Sequence, residues 1–421
     1  MRDKTAWCIY DWANSAYVLT TATAVLPAYF AAQVAPEGAV LFGVQVSPTS
    51  LWGAAVGLSA LLVFVSAAVL GAVADLSGRA GLFWRVFCAI GSLSAIALSF
   101  SGPGDWLSCL LLFGLAQFGF ACGNVFYDAF LPVVAKRDEY DQVSGSGFAW
   151  GYAGGGLHFA LCLGLVSFAP QLGLDKARAS QIAMASSGVW WGLFAIIPLS
   201  RLRDPRKPSG MAPRDYLREG ARRTLGTLRT FTKGGPAASF LLAFLLYNDG
   251  IQTTITMATI YGKQELGLPL STLMLTLLII QAVALAGAHL FSRLAGRTTT
   301  KTALVISLFI WTGAAVFGYF ITTAWQYMLL GCLVGLSLGG SQALSRSLFA
   351  RLTPDDQRAQ YFGYFSVVNK LSAIGGPIVF AAVRFATGSS RPAVLAVAAF
   401  FIGGMLLLRR VRVDDEEKSG A

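Results

Sequence analysis

Two ionisable residues stand deep inside long apolar stretches, where a charge needs a physical reason. Asp249 follows Tyr247 and Asn248 about 12 residues into one apolar segment, and Lys370 follows Asn369 about 10 residues into another. At 1.5 Å per helical residue these depths are ~18 Å and ~15 Å, near the middle of a ~30 Å hydrocarbon core. An ionised side chain there costs roughly 2.5–3.5 kcal/mol even on the lenient insertion scale, so each needs a partner or a water-filled cavity. The expectation is that Asp249 and Lys370 face a central cavity, close enough to interact, with Tyr247, Asn248 and Asn369 beside them on a substrate or proton path. A static ion pair that fixes helix packing is the alternative. A carboxylate-bearing solute could bind Lys370 while its amine binds Asp249, which fits an amino acid. A dissociable Asp249 would permit proton coupling, although Lys370 beside it could equally hold it ionised.

A second group lies near one end of the apolar segments. Asp11 is a few residues into the first, Asp128 near the end of the fourth and Arg346 near the end of the tenth. Two acids in the first half and a base in the second could form a latch between halves, against the plainer reading of interfacial charges that contribute little. A third group is Gly71-Ala-Val-Ala-Asp75-Leu-Ser-Gly78-Arg79. Gly71 lets helices approach closely, Gly78 permits a tight turn, and Asp75 with Arg79 can bind neighbouring helix ends or each other. His158 and His289 stand singly on apolar stretches and read as hydrogen-bonded packing. The six cysteines show no paired spacing and read as small buried residues, with neither a disulfide framework nor a metal site implied.

The elements that must carry these residues are membrane helices. Hydrophobic residues make up 55% of the 421 and charged residues only 13%, far from a soluble balance. Twelve spans are expected at 7–34, 50–73, 85–101, 106–130, 146–169, 181–199, 237–260, 271–292, 301–321, 325–347, 360–385 and 391–408. The first could be mistaken for a secretory signal, but Asp11 and Asn14 interrupt its start and further spans follow, so an uncleaved helix is expected. Between spans six and seven runs a basic stretch, Arg201 to Lys233, with ten Lys or Arg against Asp204, Asp215 and Glu219. Lys and Arg gather on the cytoplasmic side of membrane proteins, which places this stretch, the basic loops on its side and both termini in the cytoplasm. The net charge of +11 is then explained by lipid headgroups and membrane topology, and nucleic acid is not implied as a partner.

The expected division is a six-helix bundle over 1–200, a basic linker over 201–236, a second six-helix bundle over 237–410 and a cytoplasmic tail over 411–421. The halves echo one another. Asp75-Leu-Ser-Gly78-Arg79 answers to Arg293-Leu-Ala-Gly296-Arg297 at an offset of 218 residues, and Leu131-Pro132 with Gly154-Gly155 answers to Thr353-Pro354 with Gly375-Gly376 at about 221. Tyr10-Asp11 against Tyr247-Asn248-Asp249 is a looser third. Such repeats suit an alternating-access transporter.

The Gly71 to Arg79 pattern resembles the cytoplasmic loop signature of the major facilitator superfamily, with Ala80 where a second basic residue is usual. The resemblance implies a gating role for Gly71, Asp75, Gly78 and Arg79. Further blocks narrow it: Tyr10-Asp-Trp-Ala-Asn-Ser-Ala-Tyr17, Phe126-Tyr-Asp-Ala-Phe-Leu-Pro132, Ser146-Gly-Phe-Ala-Trp-Gly-Tyr-Ala-Gly-Gly155, Tyr247-Asn-Asp-Gly250, Gln342-Ala-Leu-Ser-Arg-Ser347, Phe362-Gly363 and Gly376-Pro377. Together they resemble the vacuole effluxer branch, whose eukaryotic members are associated with release of amino acids from the vacuole; the compact loops suggest a bacterial member in the inner membrane. The implied function is secondary transport of a small solute, amino acids among the candidates, without a cofactor. An ATP-driven pump would need a Gly-x-x-x-x-Gly-Lys-Ser/Thr loop, which is absent, and an enzyme would need a convergent nucleophile and base or a metal cluster. A transport-dead receptor of the same fold is the remaining alternative.

Overall fold

The computed structural model describes residues 2–204 and 208–413. Arg206 and Lys207 of the basic stretch, and residues 414–421 of the expected tail, lie outside them. The described chain is a succession of long helices: α1 (Asp3–Val34), α2 (Pro48–Ser77), α3 (Ala80–Phe100), α4 (Trp106–Val134), α5 (Tyr140–Ser167), α6 (Lys176–Arg201), α7 (Pro213–Thr232), α8 (Pro236–Gln264), α9 (Leu270–Arg297), α10 (Thr300–Phe320), α11 (Ala324–Arg351), α12 (Asp355–Thr387) and α13 (Ser390–Leu408). Eleven of them are long and apolar enough to cross a bilayer. α7 is not among these, and neither is α8: Asn248, Asp249, Gln252 and four threonines dilute its 29 residues. Its polar run is the feature that makes it interesting.

Three departures from the expected pattern have local causes. The basic stretch is not all loop: Pro213 at the first helical position opens the 20-residue α7. The all-α expectation misses a small hairpin, in which strand β1 (Ala39–Leu41) pairs antiparallel with β2 (Val44–Val46) in the loop after α1. Two helices are also irregular where single straight spans were expected. α1 widens to a π-helix at Tyr17–Val25, ahead of Pro27, whose missing N–H disturbs the preceding turn. α12 breaks at residues 372–374 into Arg358–Leu371 and Gly375–Thr387.

Packing is built on small residues, as suits helices that gain nothing from water exclusion against lipid. A Cβ on Gly119 of α4 would lie 2.5 Å from the backbone nitrogen of Gly91 on α3. Contacts of this kind also join residues before α7 to residues after it. Gly145 of α5 sits on Ala288 and Ser292 of α9, and Gly363 of α12 sits on Ala67 and Ala68 of α2. Large apolar side chains such as Leu58, Leu61, Leu62, Phe64 and Val65 of α2 point outward and remain exposed, which a lipid surround would cover. Gly119→Val should therefore lower stability by about 1–3 kcal/mol through overpacking against backbone. Thermal unfolding of the purified protein checks this, and a wild-type melting temperature would contradict the packing described.

Candidate functional site

The site is a cavity of about 540 Å³ along the seam between α1, α4 and α5 on one side and α8, α9, α11 and α12 on the other. Its wall carries Asn14, Asn124, Tyr152, Asn248, Gln252, Gln281, Gln342, Asn369 and Lys370 among aromatic and aliphatic side chains. The π-helical part of α1 contributes Val18, Leu19 and Thr23, so this irregular segment faces the cavity. Such turns often sit at functional positions because they re-aim side chains and leave backbone carbonyls underused.

The broken α12 is held open by α8. The Gly376 N–H donates to Asp249 Oδ1 at 2.8 Å, which places a carboxylate at the amide end of the second half-helix. A Cβ on Gly375 would come within 2.5 Å of Asp249 Oδ2, so the residue must be glycine for the carboxylate to reach. The Asn248 amide donates to Asn369 Oδ1 at 2.8 Å and also to Ser372 Oγ. These bonds put Asn369 and Lys370 on the cavity wall at the end of the first half-helix. The expected contact between Asp249 and Lys370 is not formed. Asp249 turns to the orphan amides of the half-helix, a donor group that spacing in the sequence does not reveal, and it does not line the cavity. Among the described residues the Lys370 ammonium makes no hydrogen bond or ion pair, while the Lys370 carbonyl accepts from the Ala373 N–H. Tyr247 also stands behind the wall, sharing a 2.7 Å hydrogen bond with Ser345 Oγ.

One end of the cavity is closed by charge. Arg346 of α11 is 3% exposed, and its Nη1 donates to Asp11 Oδ2 and to Asp128 Oδ1, each at 3.1 Å. Its Nε and Nη2 donate to Ser144 Oγ (3.0 Å) and Ser144 O (2.9 Å) of α5. The guanidinium lies 4.1 Å from the Phe148 ring centroid and 4.7 Å from that of Trp7, and Tyr127 donates to Asp11 Oδ2 at 2.7 Å. The expected trio of Asp11, Asp128 and Arg346 is thus brought together, and more deeply buried than interfacial charges would be.

A second layer lies closer to the helix ends. Asp141 of α5 accepts from Ser347 Oγ (2.5 Å), Thr300 Oγ1 (2.9 Å) and Arg351 Nη2 (3.0 Å). Where α2 meets α12, Asp75 accepts from the Ala359 and Gln360 amides (3.2 and 2.9 Å), while Gly71 meets the Ala359 backbone directly. Gly78, at φ +60°, ends α2 in the left-handed conformation open to glycine, and Arg79 is exposed at the head of α3. Polar crossings of the seam reach no further than the 2.6 Å bond from Tyr152 Oη to Gln342 Oε1. Beyond that pair, among the described residues, no hydrogen bond joins the chain before α7 to the chain after it.

Sequence reasoning missed Asp141, Ser144, Tyr127, Asn14 and Asn124. Asp141 lies in the loop expected before residue 146, where a carboxylate looks solvated. Asn14 and Asn124 pair with each other across α1 and α4 (2.8 Å), and both lie on quoted blocks or next to one. His158 is a packing residue as expected, hydrogen-bonded to Thr20 Oγ1 at 2.9 Å.

A helical membrane protein with a polar cavity along a seam and a charged closure at one end is a transporter in form. Solved structures agree on the fold: a bacterial homologue of the iron transporter ferroportin (TM-score 0.68, 13% identity, 98% of this chain and 99% of that one) and the major facilitator superfamily transporter FucP (TM-score 0.67, 13% identity, 97% and 98%). The family profile described as vacuole effluxer Atg22 like matches residues 2–420, and the chain belongs to that family. A Bacillus subtilis protein described as an uncharacterized MFS-type transporter, YxiO, is 32% identical over 97% of this chain and 94% of its own. Autophagy-related protein 22 of Coccidioides immitis is 24% identical over 93% of this chain and 77% of its own. The chain is a multi-pass transporter of the major facilitator type and not an enzyme.

Breaking the Arg346 cluster leaves buried carboxylates without their cation, so Arg346→Ala should cost about 3–5 kcal/mol, read by chemical or thermal unfolding. Asp249→Asn keeps an acceptor for Gly376 and should stay near wild type, whereas Asp249→Ala orphans a buried amide at about 1–3 kcal/mol. Equal stability of these two variants would contradict the capping geometry.

Proposed function

We propose that the protein is a secondary transporter that moves a small solute by alternating access between two six-helix bundles, residues 1–200 and 237–410, joined by the stretch 201–236. The observation that carries this reading is the buried Arg346–Asp11–Asp128 cluster closing one end of a polar cavity that, among the described residues, no hydrogen bond between the halves closes at the other. Asp11, Asp128 and Arg346 form the latch of that end, seconded by Asp141. Gly71, Asp75, Gly78 and Arg79 act with them by gripping the head of α12, which must release when the end opens.

The closed end is the one where the basic loops lie. Positive charge favours the cytoplasm, so in this reading both termini and α7 are cytoplasmic, the membrane is a bacterial inner membrane, and the closed state faces outward. Lys370, Asn369 and Asn248 supply the solute contacts, with Asn14 and Asn124 facing them. Lys370, unpaired on the wall, suits a carboxylate. Amino acids are the first solutes to test, since the sequence resemblance implies them. In this geometry Asp249 and Tyr247 act from behind the wall by holding α12 broken, and a proton on Asp249 would weaken that hold.

Uptake of a labelled amino-acid mixture into proteoliposomes under an imposed pH gradient tests the proposal. Lys370→Met should reduce flux by at least about tenfold, a loss of roughly 1.4 kcal/mol, while Asp249→Asn should retain a larger share of it. Full flux in Lys370→Met would remove Lys370 from the solute path. Solute binding by the folded wild type with no flux at all would favour the receptor reading instead.

A further inference from the structure

The helix α7 has a surface that solute transport leaves unexplained. Its inner face packs on the bundle: Thr224 Oγ1 donates to the Ala68 carbonyl of α2 (3.4 Å), and Tyr364 Oη of α12 donates to the Thr224 carbonyl (2.5 Å). At about 100° per residue, three leucines form the adjoining face and four arginines the face beyond. Leu217, Leu225 and Leu228 are 62%, 59% and 48% exposed, and Arg214, Arg218, Arg222 and Arg229 are exposed as well. Two of these arginines have acidic neighbours on the same helix, Arg222 with Glu219 at 3.7 Å and Arg214 with Asp215 at 4.0 Å. Pairs so exposed are weak and readily exchanged for another anion.

The position of α7 decides what covers the leucines. It touches α2 at Ala68 and Val73, nine and four residues short of the Ser77 end, or roughly 13 Å and 6 Å along the axis. It therefore lies on the flank of the bundle, against the same helix that carries the outward-pointing Leu61, Leu62 and Phe64 further from that end, and not beyond the helix ends in solvent. An apolar stripe flanked by arginines at that height matches the boundary between acyl chains and headgroups.

We infer that α7 is an interfacial anchor for anionic phospholipid, with its leucines in the acyl-chain boundary and Arg214, Arg218, Arg222 and Arg229 on the headgroup phosphates. The anchor also bears on the gate. α7 reaches both sides of the seam, through Ala68 of α2 and through the 2.5 Å ion pair of Arg223 with Asp356 of α12. Lipid bound there holds together the two helices that must part when this end opens.

The test uses the full-length protein in nanodiscs of phosphatidylcholine mixed with phosphatidylglycerol, with retained lipid identified by native mass spectrometry. Wild type should retain phosphatidylglycerol several-fold over phosphatidylcholine, and R214Q/R218Q/R222Q/R229Q should lose that preference. On the wild type itself, added salt should release phosphatidylglycerol, since these contacts are exposed and screened; this arm stands even if the variant fails to fold. Phosphatidylglycerol retention unchanged in the folded variant, or unaffected by salt, would overturn the anchor. Equal retention of the two lipids by wild type would do the same and turn α7 into a surface for a protein.

Discussion

A guanidinium buried between two carboxylates governs this structure. Arg346 brings one guanidinium to the two carboxyl groups of Asp11 and Asp128, and all three side chains are largely buried. Removing Arg346 leaves both carboxylates without their cation at several kcal/mol, so the helices that bear the three, α1, α4 and α11, are held at fixed separation. The hydrogen bonds of Ser144 and Tyr127, and the rings of Phe148 and Trp7, fill the remaining valences of the cluster. Asp141 and Asp75 repeat the device nearer the helix ends, each drawing donors from across the seam. Such a cluster binds strongly only when its geometry is complete, so under the proposed mechanism a small separation of the halves would admit water and dissolve it.

The cavity depends on a second constraint, that backbone polar groups in a membrane must find partners inside the protein. α1 and α12 both lose regular helix where they face the cavity, and each loss is compensated locally. In α12 the compensation comes from Asp249 and Asn248 of α8, which explains why α8 is polar enough to fail as a membrane span on hydropathy alone. Discontinuous helices of this kind mark solute sites in transporters because their exposed backbone ends are ready-made ligands. The same irregularity that weakens α12 as a rod brings Lys370 to the wall.

Much of this was legible in the sequence, and the rest was hidden for physical reasons. Apolar length and basic loops revealed the spans, because hydropathy and charge asymmetry act over twenty residues at a time. The trio of Asp11, Asp128 and Arg346 was legible because helix direction alone puts all three at one end. The partner of Asp249 was not: depth along a helix says how deep a side chain lies but not which way it turns, and the free amides of Gly375 and Gly376 exist only once α12 has broken. In sequence α7 resembles a linker, because its inner face is built from Gly220, Thr224 and Thr227, small residues that give little hydrophobic signal and make close packing possible. Asp141 was overlooked because span five begins six residues earlier than its apolar run suggests.

The central claim, that the Arg346 cluster holds one end closed, is tested most directly by distance. Spin labels at Lys136→Cys and Arg297→Cys, both exposed at that end on opposite sides of the seam, report its opening by pulsed electron resonance. The account predicts one short distance in the otherwise native protein and a second, longer population when Arg346→Ala is added. An unchanged single short distance in that folded variant would contradict it.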